Sequence, residues 1–159
     1  MRVLIVSDTH GSHRNLEKVI ERTEGIDLLI HLGDTEGKED YIEALAGCQS
    51  YIVSGNNDFF SDLPREKEFM LEGKRVFITH GHPYYVSMGE ERLRKAAKKR
   101  GADIAMYGHT HKPSLSVEDG VMVLNPGSIA YPRQAGRKAT YMVMEIEEGK
   151  DADVRLMYV

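Results

Sequence analysis

The amino-acid sequence predicts an α/β fold in which two packed, mostly mixed β-sheets are flanked by helices. The first third of the chain alternates strand-like and helix-like patterns, which indicates parallel strands joined by right-handed crossovers. The second half is richer in paired apolar runs around short turns, which indicates antiparallel strands. The chain has 159 residues, of which 41% are hydrophobic. This is enough for one domain, residues 1–159, with a sizeable core.

The first half of the chain reads strand, helix, strand, helix, strand. The strands have the short apolar runs of buried strands, and the helices have apolar residues at helical spacing. Ser12 is a candidate N-cap of the first helix and Gly25 a candidate stop. The predicted strands are 2–6, 27–33 and 50–55, and the predicted helices are 12–25 and 38–47.

The second half predicts several hairpins and one more helix. Glu72-Gly73 and Asp119-Gly120 are turn signals between apolar runs. The predicted segments are two strands within 68–81, a basic amphipathic helix over 89–102, a buried strand over 103–108, and hairpins within 114–127 and 139–159.

Composition and charge exclude several classes of function. The net charge of −4 does not favour electrostatic binding to duplex nucleic acid or to an anionic membrane. A single cysteine, Cys48, excludes an intrachain disulfide and favours a reducing compartment. The apolar run at the N-terminus is too short for a signal peptide, and no run reaches the length of a membrane helix. We therefore expect a cytoplasmic protein.

Polar residues beside glycine follow each of five strand-like runs. Ligands of open α/β sheets bind beyond the carboxyl ends of the strands. If these strands lie side by side, the polar residues converge on one crevice. The residues are Asp8 and His10; Asp34 after Gly33; Asn56 and Asn57 after Gly55; His80 and His82; and His109 and His111.

The chemistry of this set is that of a metal site. Two carboxylates, an amide oxygen and several imidazoles, without cysteine, suit Mn²⁺, Fe²⁺, Zn²⁺ or Ni²⁺. The set offers more ligands than one tetrahedral ion needs, whereas two ions that share a carboxylate would use them well. Such a pair forms a clamp for displacement at phosphorus. Each motif alone is more often a turn or a helix cap, but all five in this order favour a site.

In this order the motifs resemble those of the calcineurin-like metallophosphoesterase superfamily. Its pattern is Asp-x-His, Gly-Asp, Gly-Asn-His-Asp/Glu, a lone His-Gly and Gly-His-x-His. The short chain and the sequence NPGS at 125–128 resemble its small YfcE-like phosphodiesterase branch. The resemblance covers Asp8 to Ser128 and implies the family's α-β-β-α sandwich. It also implies two divalent metal ions, for which we expect manganese, with nickel, iron or zinc as alternatives.

The resemblance implies seven metal ligands and a reaction. A hydroxide that bridges the two ions would attack a phosphate ester, so the expected enzyme is a two-metal phosphodiesterase acting on a small phosphoester. Carried over by motif, Asp8, His10 and His111 would hold the first ion, Asp34 would bridge both, and Asn56, His80 and His109 would complete the second.

Asn57 departs from the family pattern, in which a histidine follows the asparagine. That histidine is usually assigned to orient the phosphate or to protonate the leaving group. An amide can donate a hydrogen bond to phosphate but cannot supply a proton. We therefore predict that Asn57 contacts substrate, that catalysis is weak with poor leaving groups, and that aryl phosphates react better.

Five further residues have predicted roles outside the set of metal ligands. His82 is a candidate substitute acid, and Arg133, with Arg137 nearby, is a candidate contact to an anionic substrate. Asp58 is expected to orient its loop or to act as a partner for a ligand histidine. His31, inside an apolar run, is expected to be packed.

The alternative function is a non-catalytic interaction scaffold of the same fold. A related subunit of the retromer coat binds partner proteins and has an eroded metal site. Here all seven ligand positions carry competent residues, which favours the enzyme. A nuclease is disfavoured because the chain lacks extra length and a basic surface. The sequence leaves the natural substrate and a homo-oligomeric state open.

Overall fold

The computed structural model describes all 159 residues as two five-stranded sheets and three α-helices. Two single-turn 3₁₀ helices, His82–Tyr84 and Val86–Met88, follow the fifth strand. The other elements are β1 (Arg2–Val6), α1 (Arg14–Arg22), β2 (Leu28–His31), α2 (Glu39–Ala46), β3 (Gln49–Ile52), β4 (Glu66–Leu71), β5 (Lys74–Thr79), α3 (Glu91–Lys99), β6 (Ile104–Met106), β7 (Pro113–Glu118), β8 (Val121–Pro126), β9 (Thr140–Glu145) and β10 (Asp153–Tyr158).

Both sheets are mixed, as predicted. The first has the strand order β10-β9-β1-β2-β3, in which β1, β2 and β3 are parallel and β9 runs antiparallel to β1. The second has the order β4-β5-β6-β8-β7, with β5, β6 and β8 parallel between two antiparallel edge strands. The strand–helix–strand–helix–strand prediction and its parallel pairing are confirmed.

Three apolar clusters explain why the strand runs are apolar on both faces. Val3 and Ile5 of β1 face the core between the sheets, while Leu4 and Val6 pack under the helices on the outer face. A third cluster joins the second sheet to α3 through Leu93 and its neighbours. Full burial of a Val, Leu or Ile side chain contributes about 1.5–3 kcal/mol to folding stability. The strands that lead to the site are therefore well anchored in the core.

The ends of the first helix differ from the prediction. His13, not Ser12, is the N-cap residue, and it makes no side-chain cap. The helix ends before Thr23, whose hydroxyl and N–H both donate to the carbonyl of Val19, so Gly25 lies beyond the end. The backbone turns extended at Thr23 (φ −99°, ψ 100°), two residues before the glycine. None of the three α-helices has the length and apolar character needed to cross a membrane.

The two hairpin turns are confirmed by their backbone angles. Glu72 and Gly73 have φ of 45° and 80°, and Asp119 and Gly120 have φ of 53° and 74°. Two consecutive positive φ values are what a two-residue hairpin turn needs to match the twist of its strands.

The five strands that precede the polar residues are not side by side in one sheet. β1, β2 and β3 belong to the first sheet, and β5 and β6 belong to the second. Their carboxyl ends meet at one end of the sandwich. The crevice therefore lies between the edges of two sheets, not along the edge of one.

Candidate metal centre

All seven predicted ligands converge at this end of the sandwich. Each follows a strand whose buried residues fix its starting point. Loops of the first sheet carry Asp8, His10, Asp34 and Asn56, and loops of the second sheet carry His80, His109 and His111.

The first group consists of Asp8, His10 and His111. Asp8 Oδ1 lies 3.2 Å from His111 Nε2 and 3.8 Å from His10 Nε2. The two Nε2 atoms are 3.2 Å apart. One oxygen and two nitrogens thus lie close enough to share a single cation.

Hydrogen bonds at the far side of each ring fix how these nitrogens are presented. His111 Nδ1 donates to the carbonyl of Tyr131 at 2.6 Å, and His10 Nδ1 donates to Glu36 Oε1 at 2.7 Å. Because both Nδ1 atoms carry the hydrogen, each neutral ring has its lone pair on Nε2. Two lone pairs that face one another across 3.2 Å repel unless a cation lies between them.

Asp34 lies between this first group and His80, which belongs to a second group of ligands. Its Oδ2 is 3.5 Å from His10 Nε2 and 3.4 Å from His80 Nε2. His80 Nδ1 donates to the carbonyl of Leu32 at 2.6 Å, so its Nε2 also presents a lone pair when the ring is neutral. This position suits a carboxylate that contacts two ions.

Asn56 completes the second group. Its Oδ1 is 3.0 Å from His80 Nε2 and 3.0 Å from His109 Nδ1. The ligands thus form two overlapping sets, Asp8 with His10 and His111, and Asp8 and Asp34 with His80, and Asn56 and His109 lie beside the second set. Asp8 and Asp34 lie near the centre, and the histidines surround them.

One atom of the centre lacks the partner that its burial demands. Asp8 Oδ2 accepts from the Ser7 hydroxyl at 2.6 Å and from the His109 N–H at 3.1 Å. Asp8 Oδ1 is buried and has no hydrogen-bond donor. A buried, unpaired carboxylate oxygen is costly, and a divalent cation would remove that cost. The donor set therefore fits a metal ion on the geometry of this chain alone.

The electrostatics keep both carboxyl groups ionised. In the metal-free protein burial alone would raise the pKa of Asp34, but the protonated His80 ring, through its hydrogen bond and its charge, and the hydrogen bonds from Asn57 hold that pKa well below its usual range. Burial likewise opposes ionisation of Asp8, yet the pKa is lowered by its contacts with His111, His80 and Ser7. Two buried negative charges at one point attract a cation.

The backbone at the centre is strained. A left-handed conformation costs an L-residue about 1–2 kcal/mol, and it persists only where the surroundings enforce it, often at functional sites. Five predicted ligands adopt it, namely Asp8 (φ 56°), His10 (φ 45°), Asp34 (φ 59°), His109 (φ 70°) and His111 (φ 57°).

Asp58 supports the centre through the backbone. Its Oδ2 accepts from the N–H groups of Asp34 at 2.8 Å and Gly55 at 2.7 Å. Its Oδ1 accepts from the Glu36 N–H at 2.7 Å and the Thr35 hydroxyl at 3.3 Å. Asp58 therefore ties two ligand loops together, as one of its two predicted roles requires, and it bonds to no histidine.

Gly55 is needed for a steric reason. Its φ is not positive, so conformational freedom is not the requirement. A Cβ at this position would lie 2.1 Å from Asp34 Oδ1. Gly108 is similar, since its Cβ would lie 2.0 Å from the Ser7 hydroxyl oxygen and 2.8 Å from Asp8 Oδ2. Each glycine lets one loop approach the carboxylate of another.

Asn57 and His82 lie beside the centre. Asn57 donates its backbone N–H to Asp34 Oδ1 and its side-chain Nδ2 to Asp34 Oδ2, both at 2.9 Å. The His82 ring centroid is 5.5 Å from that of His80 and 6.0 Å from that of His109. Burial and the charge of His80 lower the pKa of His82, and its Nδ1 is buried without a partner.

Arg133 and His31 lie outside the ligand cluster. Arg133 is exposed on the wall of an adjoining cleft, together with Arg137. His31 is packed, as predicted: it accepts from the Gly33 N–H through Nδ1 and bonds the Thr9 hydroxyl through Nε2. Burial lowers its pKa to about 4.

Sequence reasoning missed the groups that orient the histidines. Glu36 holds His10, and the carbonyls of Tyr131 and Leu32 hold His111 and His80. Glu36 carried a signal, because it is an acidic residue two positions after Asp34. The carbonyl partners carried none, since every residue has one.

Comparison with known proteins identifies the family. Residues 1–149 match the model of the calcineurin-like phosphoesterase superfamily domain. The chain belongs to this superfamily, and the resemblance inferred from its motifs is confirmed.

Named relatives cover most of the chain. A Bacillus subtilis (strain 168) protein named "Probable metallophosphoesterase YsnB" is 33% identical over 92% of this chain and 85% of its own length. Phosphodiesterase YfcE of Escherichia coli (strain K12) is 27% identical over 91% of this chain and 88% of its own. The predicted likeness to YfcE is therefore confirmed.

Solved structures share the fold. A crystal structure from Streptococcus pneumoniae TIGR4, described as that of a predicted phosphoesterase, superposes with a TM-score of 0.86 at 30% identity, covering 99% of this chain and 88% of that one. Vps29 of Entamoeba histolytica, solved with Zn²⁺, has a TM-score of 0.79 at 24% identity, covering 99% of each chain. The two-sheet fold class is confirmed, and the Vps29 likeness extends to the fold alone.

Proposed function

We propose that this chain is a two-metal phosphodiesterase that hydrolyses a small phosphate ester. The observation that carries the proposal is the convergence of ring nitrogens and carboxylate oxygens, with the orphaned Asp8 Oδ1 among them. Without cations this arrangement is unfavourable, whereas two divalent ions would satisfy it.

The seven ligands divide between two ions, which we propose are manganese. Asp34 lies within 3.5 Å of histidines from both groups, which supports its assignment as the bridge. When bound, two such ions supply charge for the phosphate oxygens and lower the pKa of water towards neutrality. The ligands would lie as first assigned: Asp8, His10 and His111 on one ion, and Asn56, His80 and His109 on the other.

The protein's own part is positioning and charge. Asn57 holds the Asp34 carboxylate through two hydrogen bonds, so in this state its amide is engaged with Asp34. On substrate binding its Nδ2 would shift towards a phosphate oxygen, as an amide donor can. It supplies no proton, so ester cleavage would depend on how stable the leaving group is.

His82 is the remaining candidate proton donor. Burial is the largest cause of its lowered pKa, and burial disfavours the protonated ring that a donor needs. This supports the preference for activated esters over alkyl esters.

A scaffold function is the second candidate, and the shared fold of Vps29 is the observation that favours it. Against it, the ligand cluster is complete, and Asp58 and Glu36 also hold its loops in place. Residues that orient metal ligands in this way favour a function that depends on bound metal ions.

The test compares initial rates on bis-p-nitrophenyl phosphate and p-nitrophenyl phosphate after metals are stripped and Mn²⁺ is restored. Metal-dependent cleavage that favours the diester is the expected result. Preference for the monoester would replace the diesterase with a phosphatase that has a proton donor, such as His82. No turnover of either ester, with metal bound, would overturn the enzyme and leave the scaffold.

A further inference from the structure

A cleft of about 740 Å³ opens beside the metal centre. His10 and His111 form one wall, and the segment with Tyr131, Arg133 and Arg137 forms another. The volume falls in the range of sites that hold small ligands, about 300–1,000 Å³. The cleft and the metal centre share His10 and His111, so the cleft has room for a group next to the metals.

The two arginines of the cleft have no carboxylate partner. Arg94 and Arg100, by comparison, each pair with glutamates. Arg133 and Arg137 are exposed and line the same cleft. The guanidinium group is planar and matches the geometry of phosphate oxygens, with which it forms paired hydrogen bonds.

The wall is fixed to the metal centre by His111. The Arg133 N–H donates to the carbonyl of His111 at 3.0 Å, and His111 Nδ1 donates to the carbonyl of Tyr131 at 2.6 Å. The Tyr131 ring meets that of His10 edge-on, with 5.7 Å between centroids. The same residues that present a histidine to the metal therefore set the distance from the metal to Arg133.

A tight turn places Arg137 on the same wall. The Arg137 N–H donates to the carbonyl of Gln134 at 3.0 Å, and Gln134 Nε2 donates to the carbonyl of Lys138 at 2.6 Å. Gly136 has φ of 80° and Arg137 has φ of 44°. Two consecutive left-handed residues reverse the chain, so Arg137 lies in the cleft with Arg133.

Glu36 is the carboxylate of this cleft, and it is already engaged. Its Oε1 accepts from His10 Nδ1 at 2.7 Å. Two guanidinium groups against one paired carboxylate leave the cleft wall positive, although the whole chain carries a net charge of −4. The local charge therefore favours an anion, and the arginine geometry favours a phosphoryl group.

We propose that this cleft binds a second phosphoryl group of the substrate. The substrate class is then a phosphodiester that also carries a phosphomonoester, with the diester at the metals and the monoester on Arg133 and Arg137. This inference rests on the proposed phosphodiesterase function and adds to it the chemistry of the distal group. The arginines are specificity-determining residues, since they touch the substrate away from the reacting phosphorus.

The test uses two chromogenic esters that differ by one phosphate. These are thymidine 5′-(p-nitrophenyl phosphate) and its 3′-phosphorylated analogue, and release of p-nitrophenol reports cleavage of the diester in both. The ratio of their kcat/KM values is measured with Mn²⁺ for the wild type and for Arg133→Gln and Arg137→Gln. Arg22→Gln is the matched control, because Arg22 is exposed at the end of α1, eight residues after the first residue of that helix, or about 12 Å along its axis.

We expect the wild type to favour the 3′-phosphorylated ester by about tenfold or more, as charged hydrogen bonds to one group allow. Each cleft variant should lose most of that ratio, chiefly through KM, while Arg22→Gln keeps it. A wild-type ratio near one, or a ratio kept by both cleft variants, would overturn the second-phosphate site and leave the phosphodiesterase standing. No cleavage of either ester would overturn both.

Discussion

The floor and the rim of this site are held in different ways. The floor, Asp8, Asp34, His80 and His111, is buried, and each residue is fixed by bonds to backbone or to another buried side chain. The rim consists of Arg133 and Arg137 of the cleft and of Phe59 and Phe60, which line a neighbouring cavity with Asn57. These four side chains are exposed and make no hydrogen bond or ion pair.

This difference separates two tasks. The floor must hold donor atoms in place against their mutual repulsion, which takes rigid partners. The rim is where we propose that the ligand makes contact, and its side chains have no competing partner within the chain. Substitutions in the floor should therefore change metal binding and stability, whereas substitutions in the rim should change only what is bound.

The largest effect is expected for Asp34→Asn. The change removes a charge that lies near histidines of both groups, so both metal sites weaken. Metal affinity and kcat/KM should fall by more than the roughly 10–100-fold typical of a residue that merely supports a ligand. Calorimetric titration with Mn²⁺ and diester kinetics measure the two.

Asp151→Asn is the control for that change. Asp151 is an exposed carboxylate in the β9–β10 connection, at the opposite end of the first sheet. Unchanged metal content and activity in Asp34→Asn would contradict the assignment of the bridge.

Asp58→Asn should chiefly lower stability. The carboxylate accepts from three backbone N–H groups, and an amide would point hydrogens at some of them. A loss of about 2 kcal/mol or more in the free energy of unfolding is expected from buried donors left unpaired. Urea unfolding of the metal-free protein measures it, and a wild-type midpoint with an unchanged slope would show that the loops do not depend on Asp58.

Acid should destabilise the metal-free protein through His31. Its pKa is about 4 in the folded state, lowered from 6.5 by burial. Between pH 6.5 and pH 4 the His31 side chain is protonated in the unfolded chain but neutral in the folded protein. The contribution of His31 to the free energy of unfolding is therefore full above pH 6.5 and is lost as the pH falls towards 4. Between pH 7 and pH 5 the free energy of unfolding should fall by about 2 kcal/mol from this cause.

The variant His31→Asn isolates this contribution. Asparagine keeps an acceptor for the Gly33 N–H and does not titrate. The free energy of unfolding should depend less on pH in the variant than in the wild type by that amount. Equal pH dependence in the two proteins would show that His31 does not cause the loss of stability in acid.

Glu36→Gln should have a moderate effect on metal binding. It weakens the bond that orients His10 without removing a predicted ligand. Manganese affinity should fall by about tenfold, at the low end for such partners. Glu148→Gln, an exposed residue in the β9–β10 connection, is the control, and equal affinities in the two variants would argue against the orienting role.

The smallest effect is expected for Phe60→Ala in the rim. The side chain is fully exposed, so stability should change by less than about 0.5 kcal/mol and metal affinity should not change. Thermal unfolding and the same titration check both. A large loss of either would mean that the rim also holds the floor.

The floor was predictable from the sequence, because each of its parts is local. An apolar run followed by glycine and a metal-type ligand, as at Gly33-Asp34, needs no knowledge of distant residues. The strands and hairpin turns were predictable for the same reason.

The division of the strands between two sheets could not be predicted from local patterns. Buried parallel strands have the same apolar runs in either sheet. The steric need for Gly55 was hidden as well, since it depends on Asp34, which is 21 positions away in the chain. Carbonyl partners such as that of Leu32 are invisible in any sequence.

Anomalous diffraction from crystals of the wild type loaded with Mn²⁺ would locate the metal ions directly. Two peaks about 3.5–4 Å apart are expected. One should lie within reach of Asp8, His10 and His111, the other within reach of Asn56, His80 and His109, and Asp34 should contact both. A single peak, or none among these residues, would contradict the two-metal centre.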